Sequence, residues 1–176
     1  NIYEPCISLL AGTTPDGLSD AIPAASFGAG FMGRVIFVTQ LHCTRSIPFP
    51  EYEHIGTTNQ LIAELAEFGQ LRGSVTFSQE AIGWYEDWYY SGRRHIMTNE
   101  LCLAGYQSRR HVHMLRFAMV LQATYDHSCV LSVAALEDAY AILLQTELFM
   151  GSAFRQVEQS VISKTYKRIC DQISHR

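Results

Sequence analysis

The chain has 176 residues, of which 48% are hydrophobic and 17% are charged, and its formal net charge is −4. This composition indicates one globular domain, with room for a small helical appendage, and excludes a disordered chain. No uncharged apolar run is long enough to span a membrane, and the acidic balance argues against a protein that coats nucleic acid over its whole surface. Five scattered cysteines without a CxxC motif are typical of reduced thiols, so we expect a cytoplasmic protein with no membrane association, catalytic cysteine or metal site.

Two short apolar runs near the N-terminus predict buried β-strands. The first, Cys6–Ala11, is followed by a Gly-Thr-Thr-Pro sequence whose proline stops the strand, and the second, Val35–Gln40, is predicted to return beside it. We therefore expect the edge of an α/β sheet, where hydroxyls such as those of Thr13 and Thr14 tend to meet a ligand. Because the chain begins without methionine and a strand follows at once, we also expect it to be part of a longer polypeptide.

A glycine-rich turn leads into the second predicted strand, after a possible short helix over residues 16–22. Gly28, Gly30 and Gly33 precede Arg34, which opens the apolar run. Glycine allows close backbone approach and positive φ, so Arg34 is well placed to reach an anion. The alternative is a tight structural turn whose arginine simply faces solvent, because a lone glycine-rich turn is a weak signal.

Helical periodicity dominates after this region, so we divide the chain into residues 1–56, the sheet edge, and residues 57–176, a helical lid or bundle, which makes the protein mainly α overall. A capping box at Thr57–Gln60 starts a helix that ends near Gly73. Its apolar stripe comprises Leu61, Leu65 and Phe68, with Ile62 beside it.

A dense aromatic helix follows. Ser74–Phe77 is a short β-type run, and Ser78 can cap a helix over Gln79–Tyr90. Five aromatic side chains lie on this helix: Trp84, Tyr85, Trp88, Tyr89 and Tyr90. They could stack nucleic-acid bases, but at helical spacing we favour a core position, since the neighbouring acids Glu86 and Asp87 would repel phosphates.

Positive charge is concentrated in residues 91–116, which hold five arginines and one acid. Arg93 and Arg94 lie on a polar connector, where they could contact DNA phosphates or simply be solvated. A further helix is expected from Met97 to Tyr106, with a possible break at Gly105, and then a strong helix from Gln107 to Leu121. In that helix Arg109, His113 and Arg116 share a face near the positive end of the helix dipole, which favours phosphate binding; its apolar stripe is Val112, Leu115 and Met119.

The C-terminal third predicts an αα-hairpin and one further helix. A turn is expected at Tyr125–Cys129, an extended link at Val130-Leu131 and a helix cap at Ser132. The next helix covers Val133–Met150, a break is expected at Gly151, and a last helix covers Phe154–Ile173. In the first of these, Leu136, Tyr140 and Leu143 face inward.

Several catalytic patterns are absent from the sequence. There is no GxxxxGK[ST] loop, no apolar run ending in paired acids, and no GxSxG elbow. His111 and His113 are two residues apart on a helix and therefore point in different directions, which is poor geometry for a zinc site. The chain is not expected to bind ATP or to act as an enzyme by itself.

The order of these motifs resembles the C-terminal part of the ATPase domain in phage and prophage primase-helicase-type proteins, a group of P-loop ATPases with an additional catalytic strand. The similarity lies in the glycine turn and run from Gly30 to Val38, in a helix with Arg110, His113, Arg116 and the Ala118-Met119 pair, and in the run from Ser132 to Glu147, which resembles a lid helix. Residues 41–78 carry the least similarity.

The resemblance implies roles for particular residues. Thr13 or Thr14 would match a sensor near the γ-phosphate, Arg34 an arginine finger supplied to a neighbouring subunit, and Arg109 or Arg110 a lid arginine that senses nucleotide. ATP and Mg²⁺ would be bound by the full-length parent or by a neighbouring subunit, because the nucleotide-binding motifs are missing from this chain.

The implied partners are the rest of the parent ATPase, a homo-oligomeric ring and DNA, in the cytoplasm of a bacterial host. The resulting hypothesis is the sensing and lid portion of a phage-type ATP-dependent DNA helicase or replication ATPase. The alternatives are a non-catalytic phage DNA-binding or adaptor protein and, less favoured, a stand-alone enzyme with an unfamiliar site.

Overall fold

The computed structural model describes residues 8–21, 32–40, 46–49, 55–95 and 103–174, and within these ranges the protein is mainly helical, as expected. The helices are α1 (Pro15–Ala21), α2 (Ile55–Phe68), α3 (Gln79–Tyr90), α4 (Ala104–Asp126) and α5 (Val133–Ser174). A 3-10 turn, Met32–Arg34, is here named the Gly33 turn, and two short strands, β1 (Thr76–Phe77) and β2 (Val130–Leu131), complete the elements. Helix α5 packs against α1, α3 and α4.

The two N-terminal apolar runs do not form the predicted strands where the structure describes them. Residues 8–11 and 35–40 have neither helical nor strand structure, and Leu9, Leu10 and Val38 are exposed. The prediction of buried strands is therefore wrong for these residues; Cys6 lies outside the described ranges. An apolar run becomes a strand only where a neighbour pairs with its backbone groups, and no strand lies beside either run in the described part of the chain.

Helix α3 has the bounds that the sequence predicts, because its start signal is local. The Ser78 hydroxyl accepts a hydrogen bond from the Ala81 backbone N–H at 3.2 Å, which satisfies one of the free donors at the helix start. Ala81 and Trp88 are fully buried, so one face of the helix enters the core. The prediction that the aromatic stripe is mainly core is confirmed for Trp88 and for three half-buried rings, whereas Tyr90 is exposed.

A two-residue parallel ladder joins the start of α3 to the start of α5. Thr76 pairs with Val130 and Phe77 with Leu131, and the Thr76 N–H donates to the Cys129 carbonyl at 2.9 Å. The Ser78 N–H donates to the Leu131 carbonyl at 2.9 Å. The predicted extended residues at both places are therefore confirmed, and they fix two distant helix starts side by side.

Buried Gln122 organises the hairpin between α4 and α5. Its Oε1 accepts hydrogen bonds from the Ser132 N–H at 2.9 Å and from the Ser132 hydroxyl at 2.7 Å, while its Nε2 donates to Asp126 at 2.9 Å. Ser132 in turn accepts from the Ala135 N–H, which confirms the predicted cap. Helix α4 extends five residues beyond its predicted end and stops at His127, which has a left-handed φ of 54°.

The predicted break at Gly151 is wrong, because α5 continues through it for 42 residues. A single glycine costs a helix only about 1 kcal/mol relative to alanine, and no proline accompanies it here. The helix is about 63 Å long at its ordinary rise per residue. Its first half faces the core with Leu136, Leu143 and Met150, and the exposed Ile162, Tyr166 and Ile173 lie farther along.

Candidate functional site

The Gly33 turn packs directly on the first turns of α4. Gly33 is buried, and a Cβ built on it would lie 2.3 Å from the Gly105 carbonyl oxygen. The same Cβ would lie 3.3 Å from Cδ of Arg109. Only glycine allows this approach, which is the physical reason for one of the three glycines noted in the sequence. The other two, Gly28 and Gly30, lie outside the described residues.

A buried histidine holds the turn in place. Nε2 of His113 lies 2.9 Å from the Gly33 carbonyl oxygen, so the nitrogen carries the proton and donates it. The imidazole is 1% exposed and stacks on the Tyr106 ring with centroids 5.2 Å apart. Burial lowers the pKa of His113, and although the bond to Gly33 opposes this shift, the nearby charges of Arg116 and Arg109 reinforce it. His113 is therefore neutral near pH 7.

The predicted cationic face of α4 is therefore divided. Arg109 and Arg116 remain on the accessible side, but His113 points into the core, where its Nδ1 has no hydrogen-bond partner among the described residues. The sequence spacing placed the three residues together correctly along the helix but could not show which side would be buried. His113 positions the turn instead of contacting an anion.

Two arginines that the sequence singled out are brought together by this packing. Arg34 is exposed and follows Gly33 directly, and the Arg109 side chain passes over Gly33. The two residues are 75 positions apart in the sequence. Arg34 therefore belongs to a turn that is fixed by a glycine contact and a buried hydrogen bond and that the Arg109 side chain also contacts.

Arg110, the other proposed sensor, has a different position. Its guanidinium is 1% exposed and pairs with Glu147 through two contacts, Nε to Oε1 at 2.6 Å and Nη2 to Oε2 at 2.7 Å. Its Nη1 donates to the Arg93 carbonyl, and the Tyr106 hydroxyl donates to Glu147 at 3.0 Å. Of the two arginines at the start of α4, only Arg109 lies beside the Gly33 turn.

The electrostatics of this buried group favour the ion pair. Burial alone would lower the pKa of Arg110, but the hydrogen bond and charge of Glu147 raise it. Burial and then the Glu147 carboxylate raise the pKa of Tyr106, so its hydroxyl stays protonated and donates. Sequence reasoning missed Glu147 and Tyr106. The available signal was an acid isolated in the apolar run from Ala139 to Met150, which requires a buried partner.

The connector residues Arg93 and Arg94 lie against the aromatic helix. The Arg94 guanidinium is 4.3 Å above the Tyr89 ring, and that of Arg93 is 5.7 Å from the Trp84 ring. Nε of Arg94 donates to His95 at 3.0 Å, and Nε of Arg93 donates to the Ser91 hydroxyl at 3.0 Å. Cation–π contacts thus orient both arginines at the end of α3.

The two threonines proposed as sensors precede α1, and Thr14 caps it. The Thr14 hydroxyl accepts from the Gly17 N–H at 3.2 Å, and the Thr13 hydroxyl donates to the Thr14 carbonyl at 3.3 Å. Both residues are exposed, and α1 packs on α5. A cap of this kind leaves the Thr14 hydroxyl with a second lone pair, and the donating Thr13 hydroxyl can also still accept a bond.

The described ranges contain neither a candidate metal site nor a candidate membrane-spanning helix. No three His, Cys, Asp or Glu side chains there lie close enough together to hold a metal ion. No helix in this part of the chain combines the length and the apolar character that crossing a membrane requires.

The packing of the Gly33 turn can be tested with a Gly33→Ala variant. The added methyl would meet the Gly105 backbone, which cannot move aside as a side chain would, so we expect a loss of about 1–3 kcal/mol in the free energy of unfolding. Urea unfolding followed by circular dichroism measures it. Gly83→Ala is the matched control: its Cβ meets nothing within 4 Å in α3, so it should stabilise by up to about 1 kcal/mol. If Gly33→Ala were as stable as the parent chain, the close contact would be disproved.

Comparisons with protein-family models, with curated proteins and with solved structures give no match to this chain.

Proposed function

We propose that this chain is the sensing and lid portion of a phage-type ATP-dependent DNA helicase or replication ATPase. The observation that carries the proposal is the packing of the Gly33 turn on α4, which places exposed Arg34 on the turn that the Arg109 side chain contacts. This part of the surface is called the anion edge. Two arginines on a fixed backbone are suited to the phosphates of a nucleotide, because a guanidinium keeps its charge and donates in a planar fork.

In this proposal the two arginines act on phosphate charge from different subunits. Arg34, at the exposed tip of the turn, reaches the nucleotide of a neighbouring subunit in a homo-oligomeric ring and stabilises negative charge as the γ-phosphoryl group is transferred. Arg109 senses nucleotide bound in its own subunit. An arginine finger of this kind accelerates hydrolysis by about 10³–10⁵-fold in the enzymes where it is known.

In this proposal the chain contacts the phosphates of ATP but does not bind the Mg²⁺ ion that accompanies them. The sequence has no GxxxxGK[ST] loop, and the described residues hold no acidic or histidine cluster for Mg²⁺. The nucleotide and its Mg²⁺ would therefore be bound by a P-loop elsewhere in the parent ATPase or in a neighbouring subunit. ATP would supply the phosphoryl group, and this chain would supply positive charge and a fixed geometry.

The exposed apolar runs near the N-terminus suggest how the chain joins the rest of the ATPase. Leu9, Leu10 and Val38 are solvent-exposed in residues that have no strand partner in the described ranges. In the proposal these runs become strands at the edge of a P-loop ATPase sheet supplied by the parent. Thr13 and Thr14 would then follow a strand end, where a hydroxyl can face the γ-phosphate.

DNA is assigned to a second surface in the proposal. Arg93 and Arg94 lie on a connector with exposed Tyr90 nearby, and cations beside aromatic rings suit the phosphates and bases of a single strand.

The proposed anion edge can be tested on the chain itself. Tripolyphosphate stabilises the folded state if it binds there, so at about 10 mM and low salt we expect a rise in the thermal midpoint. The Arg34→Ala/Arg109→Ala variant should lose this rise, whereas Arg72→Ala, which removes an exposed arginine at the end of α2, should keep it. If the parent chain shows no rise, or if the double variant retains it, the edge does not bind phosphate.

An exposed apolar helix face favours the alternative of a non-catalytic DNA-binding or adaptor protein. Leu61 and Leu65 of the predicted stripe on α2, and Ile62 beside it, are all exposed. An unpartnered stripe of this kind is typical of a protein-interaction surface. Salt-dependent binding of DNA by the chain, with no binding of ATP, would favour this alternative. The absence of a P-loop from the parent protein would favour it as well.

A further inference from the structure

A cleft of about 500 Å³ lies between the connector after α3 and the middle of α5, away from the Gly33 turn. Its rim on the connector is polar, and its wall on α5 is largely apolar. The rim residues are Ser91, Gly92, Arg93 and His95. The wall residues are Tyr140, Leu144 and Leu148. Arg110 and Glu147 also line the cleft, and its volume is within the range of pockets that hold small organic ligands.

The charge that faces this cleft is positive. Glu147 is the acid in its lining, and both of its oxygens accept hydrogen bonds from Arg110, with a further one from Tyr106. Arg110 and Glu147 therefore neutralise each other and add no net charge to the cleft. Arg93 remains as the exposed cation at the rim, and Arg94 follows it on the same connector.

The guanidinium group of Arg93 is preoriented to bind an anion. Its Nε donates to Ser91, and its guanidinium lies near the Trp84 ring, so the planar group is oriented before any ligand arrives. Nη1 and Nη2 of Arg93 have no hydrogen-bond acceptor in the described part of the chain. Two such N–H donors on one guanidinium group can bind two oxygens of a phosphate. The Arg93 carbonyl is fixed from below by Arg110, which holds the connector over the cleft.

The opposite wall of the cleft exposes apolar side chains to solvent. Leu148 is 74% exposed and Leu144 is 45% exposed, although the buried residues Leu143 and Met150 lie on the same helix within two positions of them. Together with the half-buried Tyr140 ring they form an apolar wall of the cleft that has Arg93 on its rim. A ligand that combines a flat apolar group with a phosphate would cover both features.

We infer that this cleft binds a nucleoside phosphate, with the base against Leu144 and Leu148 and the phosphate on Arg93. The ligand is either a free mononucleotide or one unit of a single strand, since both present the same base and phosphate. The phosphate lies at the rim, beside Arg93, because the other arginine that lines the cleft, Arg110, is already paired with Glu147. This site is independent of Arg34 and Arg109, so it can exist even if the proposed ATPase role is wrong.

Intrinsic fluorescence reports on the site, because the two tryptophans of the chain, Trp84 and Trp88, contact Arg93 and Arg110 beside the cleft. We expect a saturable change on titration of the full chain with dAMP, and a tighter one with a short oligo-dT if the natural source is a single strand. Arg93→Ala should weaken binding about tenfold or more, in line with the loss of a charged hydrogen bond. Leu148→Glu should do the same by placing an acid on the apolar wall.

Both variants are designed to leave the fold intact. Arg93→Ala keeps the backbone carbonyl that accepts from Arg110, and Leu148 is exposed, so thermal midpoints should match the parent. Arg72→Ala is the charge-matched control and should bind like the parent. The inference is overturned if neither ligand binds at millimolar concentration, if both cleft variants bind like Arg72→Ala, or if inorganic phosphate binds as tightly as dAMP.

Discussion

Replacing Glu147 by leucine is expected to reduce the free energy of unfolding by about 3–5 kcal/mol, the largest stability effect of any single substitution proposed for this chain. Glu147 is only 6% exposed and receives both guanidinium contacts of Arg110 together with the Tyr106 hydroxyl. Its removal leaves the Arg110 charge buried without a counterion. Urea unfolding followed by circular dichroism measures the loss. It appears as a lower midpoint concentration of urea with an unchanged m-value.

The double variant Arg110→Met/Glu147→Leu separates the cost of an unpaired charge from the value of the pair. Replacing a buried ion pair by apolar side chains of similar size is often neutral or stabilising, so the double variant should recover most of the lost stability. Glu137→Leu, an exposed acid on the same helix, is the matched control and should change stability by no more than about 0.5 kcal/mol. A Glu147→Leu variant as stable as this control would show that the pair does not form.

Features with local causes were predictable from the sequence. The bounds of α3 follow from the Ser78 cap and the aromatic periodicity, and the Ser132 cap and the extended residues of β2 follow from equally short patterns. For the two caps the partners lie three residues apart, so a short stretch of sequence decides the structure. The residues of β2 are extended as predicted, but their partner strand β1 lies far away in the sequence.

Features decided by distant partners were not predictable. Arg109 and Arg110 are neighbours with the same side chain, yet one lies beside Gly33 and the other is buried against Glu147, 37 residues away. The apolar runs at residues 8–11 and 35–38 have the composition of strands, but a strand also needs a partner, which a short pattern cannot supply. Likewise, the direction in which His113 points depends on the contact between α4 and the Gly33 turn.

The candidate site was therefore anticipated in its residue types but not in its geometry. The glycine-rich turn and the arginines of α4 were singled out separately, and the structure joins them through the Gly33–Gly105 approach and the His113 hydrogen bond. The contact between the two motifs leaves no room for a side chain at Gly33.

The functional proposal makes its strongest prediction for Arg34. In an assembled ATPase that contains this chain together with its P-loop, Arg34→Ala is expected to lower ATP turnover by about 10³-fold or more while leaving ATP binding nearly unchanged. The reason is that charge on the transferring phosphoryl group is largest in the transition state, so a guanidinium that reaches it there stabilises the transition state more than the ground state. Steady-state turnover and equilibrium binding of a fluorescent ATP analogue measure the two quantities.

Two further variants distinguish a finger from a structural arginine. Arg72→Ala removes a comparable exposed charge and should retain full turnover. Gly33→Ala keeps Arg34 but displaces the turn from Gly105, so it should also lower turnover, because a guanidinium moved by about 1 Å loses much of its catalytic effect.

Mixed rings test whether Arg34 acts on the nucleotide of its own subunit or of a neighbour. Arg34→Ala subunits mixed with subunits that cannot bind ATP should recover activity only if Arg34 acts on the neighbour's nucleotide. Unchanged turnover in Arg34→Ala would discard the finger, whatever the other variants do.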